Sequence, residues 1–281
     1  MQLNKVQIIV ISILVVLVGI LVYANLKTPQ YKPEQLSDVG KEKAQVKDFD
    51  LQLYLISLHD SVNTETSNEL RNLTNIVETD TTKLYPKLKL AMMYDSLGYS
   101  LASGYYYSLA ARILNDETSW YKAGFRFYEC AATTIDTPMQ YFATNKAIEA
   151  FEKVVAINSN NIEAKNALAI CYIKNDLDIM KGVQLLKDVL RIDSTNIDAN
   201  YTLGILSMRS GQMDKAAQRF KTLTAIQPFN PEFYYYLGEC YVELNNKTEA
   251  IKAFETFRQL VPDEGTKQAI QSTINNLKNN N

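Results

Sequence analysis

Apolar and polar positions divide the chain into distinct stretches. Residues 6–24, VQIIVISILVVLVGILVYA, run for 19 positions without a charge. As a helix they span about 28 Å, close to the thickness of a bilayer core. Residues 25–47 are polar, with Pro29, Pro33, Gly40 and scattered Lys and Glu. That composition predicts a flexible tether, because two prolines oppose continuation of a helix. From residue 48 onward, apolar residues recur at helical spacing. Residues 48–60 and 67–79 predict two helices, and 266–278 a third with Ile270, Ile274 and Leu277 on one face.

Between them the pattern repeats. Leu203-Gly204 and Leu237-Gly238 stand 34 residues apart, each inside an apolar helical run. A glycine there costs about 1 kcal/mol against alanine, so the missing side chain serves something. The rest of the unit repeats too: Ala216 and Phe220 match Ala250 and Phe254, and Pro228 matches Pro262. Gly211 and Asn245 take the turn between the two helices, where a left-handed conformation is tolerated. Earlier units are looser. Ile162–Asn196 carries Leu168, Ala169, Tyr172 and Leu186. The unit from Glu117 carries Trp120, Ala123, Gly124 and Phe127, with Ala147 and Phe151 displaced by an insertion near TTIDTPMQYFAT. Both of its helices are therefore expected to be long. A fifth unit starts near Leu84, with Leu90, Ala91, Tyr94 and Gly98.

The 34-residue unit resembles the tetratricopeptide repeat, a helix–turn–helix with an aromatic, Leu-Gly and an aromatic in its first helix. Ala and an aromatic follow in the second helix, and Pro closes it. Tyr234, Leu237, Gly238, Tyr241, Ala250, Phe254 and Pro262 fit that scheme, whereas Asn200 and Ser207 replace the aromatics one unit earlier. The resemblance implies an all-α, right-handed helical-repeat solenoid of about five helix–turn–helix units, and the apolar run at 6–24 places one transmembrane helix before it. Its expected divisions are an anchor (1–24), a tether (25–47), a helical cap or degenerate repeat (48–83), the array (84–264), and a capping helix and tail (265–281).

In the resembled family, the second, fifth, ninth and twelfth positions of each first helix line a concave surface that binds ligands. Carried over, the lining is Tyr85, Leu88, Met92 and Asp95, then Thr118, Tyr121, Phe125 and Tyr128. The third unit supplies Glu163, Asn166, Ile170 and Ile173, and the fourth Asp198, Tyr201, Ile205 and Met208. The fifth supplies Glu232, Tyr235, Glu239 and Val242. Family members that grip a terminal carboxylate use Lys and Asn here, but Asn166 is alone and no Lys or Arg occupies these positions. The expected ligand is instead an apolar or amphipathic segment of a protein or peptide partner, in which large adaptable side chains provide contact area. Packing on the insertion, packing on 48–79, or self-association are the alternatives.

Charge and composition narrow the rest. The net charge of −2 lacks the basic excess of a nucleic-acid binder. There is one His, and no GxGxxG, GxxxxGK, HExxH or GxSxG. No catalytic residues, cofactor or metal are expected, and His59 reads as structural or surface. Cys130, Cys171 and Cys240 are odd in number and far apart, which predicts buried thiols rather than a disulfide framework. The apolar run at 6–24 exceeds a usual signal-peptide core, although Val22 and Ala24 offer a cleavage pattern. Lys27, Lys32, Lys41 and Lys43 follow it against Lys5 before it, which points to a single-pass protein with its body on the cytoplasmic side. The alternatives are an accessory factor in protein export or envelope assembly on the far side, or a self-associating structural protein.

Overall fold

The computed structural model describes residues 48–174 and 178–279. The expected anchor at 6–24 and tether at 25–47 lie outside the described residues. Among the described residues no helix is long and apolar enough to cross a membrane.

Thirteen α-helices are described: α1 Leu51–Asp60, α2 Thr64–Thr79, α3 Leu84–Ser96, α4 Ser100–Leu114, α5 Glu117–Thr133 and α6 Thr137–Ile157. They continue as α7 Ile162–Lys174, α8 Ile179–Ile192, α9 Ile197–Arg209, α10 Met213–Ile226, α11 Pro231–Glu243, α12 Lys247–Leu260 and α13 Glu264–Asn279. Short polar side chains start most of them. Asp50, Asn63, Asp116, Asp136, Asp178, Asn196, Asn230 and Asn246 each accept a bond from a first-turn N–H. Such caps contribute on the order of 1 kcal/mol apiece. Pro138 and Pro231 sit in first turns, where no N–H is needed.

Each helix packs on its neighbours in sequence, and α3–α12 form five hairpin pairs. The turns inside the last two pairs need a positive φ, found at Gly211 (72°) and Asn245 (56°). Within three pairs, a glycine of the first helix receives a phenylalanine of the second. A Cβ on Gly124 would lie 2.9 Å from the Phe151 ring, one on Gly204 3.0 Å from Phe220, and one on Gly238 would overlap Phe254. The Leu-Gly pairs therefore mark close helix crossings, where an absent side chain lets a whole ring bury. Phe151, Phe220 and Phe254 are fully buried. At the far end, Ile270 and Ile274 of α13 cover Ala250 and Phe254.

The insertion lengthens α5 to 17 residues and α6 to 21. The extra turns meet the segment leading into α1: Phe49 lies against Phe142 with ring centroids 5.3 Å apart, and against Tyr54 at 5.7 Å. Leu51 and Tyr54 join the same core as Trp120, Phe127 and Cys130. Farther along α1, His59 is buried and shares a hydrogen bond with the Tyr94 hydroxyl at 3.2 Å. Tyr94 in turn stacks on Tyr106. The first helix thus reaches from α3 to α6 rather than covering only the end of the stack. All three cysteines are buried and outside any disulfide among the described residues, with burial pushing Cys130 up to about 11 and Cys171 and Cys240 up to about 12.

Candidate binding face

The lining positions expected from the sequence belong to α3, α5, α7, α9 and α11, the first helices of the five pairs. Their phenols and carboxylates approach one another across pairs. Tyr201 of α9 donates to Glu232 Oε1 of α11 at 2.7 Å. Burial, then Cys171, then Asp198 raise the Tyr128 phenol. Burial and then Glu163 raise Tyr121. Burial leads again at Tyr201, reinforced by its bond to Glu232 and by Tyr236.

The named residues divide by exposure. Tyr85 and Met92 are well exposed, Phe125 is 42% exposed and Tyr235 38%. Tyr121 stacks beside Phe125 with centroids 6.3 Å apart. Tyr128, Ile170, Tyr201, Ile205, Met208 and Glu239 are half-buried. Tyr201 rests edge-on against Phe220, and Tyr235 leans on Phe254 and Phe257, so these phenols are braced by the rings of the second helices.

Two positions are buried rather than exposed. Ile173 is 8% exposed, and a Cβ on Gly182 would lie only 2.7 Å from its Cγ1. The bare glycine of α8 makes room for that side chain to turn inward. Asn166 is 6% exposed, and its Nδ2 donates to Oδ1 of Asn196, the cap of α9, at 3.1 Å. The Asn166 Oδ1 has no partner.

At the N-terminal end of the array one lining position belongs to an ion-pair network. Arg126 binds Asp95 at 2.6 and 2.7 Å and Glu129 at 3.0 Å. Ser100 adds a bond to Glu129 at 2.9 Å. This network joins α3, α4 and α5 and occupies Asp95, the twelfth position of α3. The periodicity did not single out Arg126, because it stands at a tenth position outside the lining scheme. Among the described residues no group of three His, Cys, Asp or Glu is placed to hold a metal ion. The arrangement offers contact area and acceptors, which is the chemistry of recognition.

Comparison with known proteins bears on the same region. Residues 201–264 match the family model described as Tetratricopeptide repeat. The BBSome complex member BBS4 of Bos taurus is 25% identical over 118 residues, which is 42% of this chain and 22% of that protein. The chain therefore spans about a fifth of that relative. Solved structures share the fold at low identity. MamA superposes with a TM-score of 0.52 at 20% identity, covering 63% of this chain and 91% of its own. YrrB, described as a TPR protein with an unusual peptide-binding site, gives 0.52 at 17% identity, covering 71% and 97%. MamA from Desulfovibrio magneticus RS-1 gives 0.52 at 17%, covering 63% and 94%. The array has the tetratricopeptide-repeat fold, and residues 201–264 carry its sequence signature.

Proposed function

We propose that the chain is a tetratricopeptide-repeat scaffold that captures an apolar or amphipathic segment of a partner protein on the inner face of its first helices. The observation that carries this reading is the exposure of three rings and a thioether at lining positions: Tyr85, Phe125, Tyr235 and Met92. Exposed apolar surface, where it gathers into a patch, marks interaction sites in monomeric proteins. The rings behind these side chains hold Tyr235 and Tyr201 in place, so little ordering is required on binding. That YrrB is described as having a peptide-binding site supports the assignment for this fold.

Residues 6–24 are proposed to anchor the scaffold in a membrane, with the right-handed array on the cytoplasmic side. The anchor raises the local concentration of the face near membrane-bound partners. The mechanism is binding, without a chemical step.

Photo-crosslinking in cells tests it, with a photoreactive residue at Phe125 or at Tyr235. A discrete crosslink to another protein, abolished by Ile205→Glu, is expected because a charge on this face must be desolvated. A crosslink only to a second copy would assign the face to self-association. No crosslink would remove the binding role altogether.

A further inference from the structure

The lining positions of α7, α9 and α11 carry carboxylates without a basic side chain. Glu163, Asp198, Glu232 and Glu239 occupy them, and no Lys or Arg does. Among the described residues none of the four is in an ion pair, and Glu232 takes only the Tyr201 hydroxyl. Lys174 and Arg209 stand at the C-terminal ends of α7 and α9, beyond the lining positions. Several carboxylates elsewhere are matched: Asp95 and Glu129 by Arg126, Glu152 by Lys181 at 2.7 Å, and Glu149 by Lys146 at 2.8 Å.

Three of the four acids stand in first turns, where the helix dipole favours them without any partner. Glu239 does not. It lies in the middle of α11, half-buried, one turn after Tyr235. Burial and then Glu243 raise its carboxyl, so the site works against the charge it carries. A half-buried carboxylate with no donor costs stability in the free protein, and a cation supplied from outside recovers it. The Asn166 Oδ1 on α7, buried and unpartnered, is a separate acceptor lacking a donor.

We infer that the segment taken by this face is cationic as well as apolar: a Lys or Arg docks on Glu239 while neighbouring apolar side chains pack on Ile205, Met208 and Tyr235. This inference rests on the binding role proposed above and specifies the partner's chemistry. Charge complementarity of this kind selects among partners more than it adds raw affinity. The net charge of the whole chain is only −2, so general attraction for basic peptides is weak and the effect is local.

The test selects a random phage-displayed peptide library on the full-length protein in detergent micelles, then measures the enriched peptides by titration. Enriched peptides should combine apolar residues with Lys or Arg. Glu239→Gln should weaken them about tenfold while raising the thermal midpoint of the free protein. Loss of binding with gain of stability is not what a merely structural glutamate would give. Glu65→Gln, the same charge change on exposed α2, should leave binding unchanged. Equal losses in both variants would mean unspecific attraction and overturn the inference. Peptides that are lost with Ile205→Glu, carry no cation and ignore Glu239→Gln would also overturn it, leaving the binding role intact. If no peptide is sensitive to Ile205→Glu, the binding role itself falls, and this inference with it.

Discussion

The last two hairpin pairs and the N-terminal block are held together by different kinds of contact. In α9–α12 the rings pack within a pair or on the next one: Phe220 against Gly204 and Tyr236, Phe254 against Gly238. Around α1–α6, side chains reach across long stretches of sequence, Phe49 to Phe142 and His59 to Tyr94. Nearest-neighbour stacks have stabilities that add unit by unit. Long-range ties make several helices open together. The same repeat therefore gives a modular end and a cooperative end, and the cross-ties decide which.

The sharpest test removes one ring from each end. Phe151→Ala and Phe254→Ala each delete a fully buried side chain, and each should cost about 3–5 kcal/mol. Hydrogen exchange should then separate them. Phe254→Ala is expected to loosen α11–α13 alone, whereas Phe151→Ala should also speed exchange in α1, which shares its core. Unchanged protection of α1 would show that the block is not cooperative.

A smaller effect compares the two strict repeats with each other. Alanine is the better helix former by about 1 kcal/mol, while overpacking costs about 1–3 kcal/mol. At Gly204 the new methyl meets Phe220 at 3.0 Å, and the two effects nearly cancel. At Gly238 it overlaps the Phe254 ring, so Gly238→Ala should lower the thermal midpoint clearly more than Gly204→Ala. Equal midpoints would mean that Phe254 shifts freely.

The smallest effect is in pH, and its sign differs between the ends. Burial and then Arg71 hold His59 below its ordinary 6.5, with Asp60 opposing. The fold favours the neutral ring, so this contribution is present above pH 6.5 and lost as pH falls below it. Glu239 is raised above its ordinary 4.5, so the C-terminal end gains as pH falls toward that value. Denaturation followed by exchange at each end, with His59→Gln and Glu239→Gln as references, checks both slopes.

The helical-repeat core was readable in the sequence because its chemistry recurs. Leu203-Gly204 with Phe220, and Leu237-Gly238 with Phe254, report a local crossing at a fixed step, and a fixed step is visible in one dimension. The inner face was less legible. Counting positions assigns a direction to each side chain but not to its surroundings. Ile173 turns inward because Gly182 on the next helix is bare, and Asn166 is drawn in by the cap of α9. Neither neighbour belongs to the helix being counted. The ties of Phe49 to Phe142 and of His59 to Tyr94 carry no period at all, since each pair occurs once.

The seat of Phe49 on Phe142 also sets how the molecule would bear mechanical tension. A pull on the chain ahead of Asp48 meets that ring pair first and is passed to the long α6, in the second of the five hairpins. While it holds, α2–α4 stay out of the line of force. Once it gives, the load moves along α1 to the His59–Tyr94 bond. Extension would then proceed in two steps, with the last hairpins still stacked behind them.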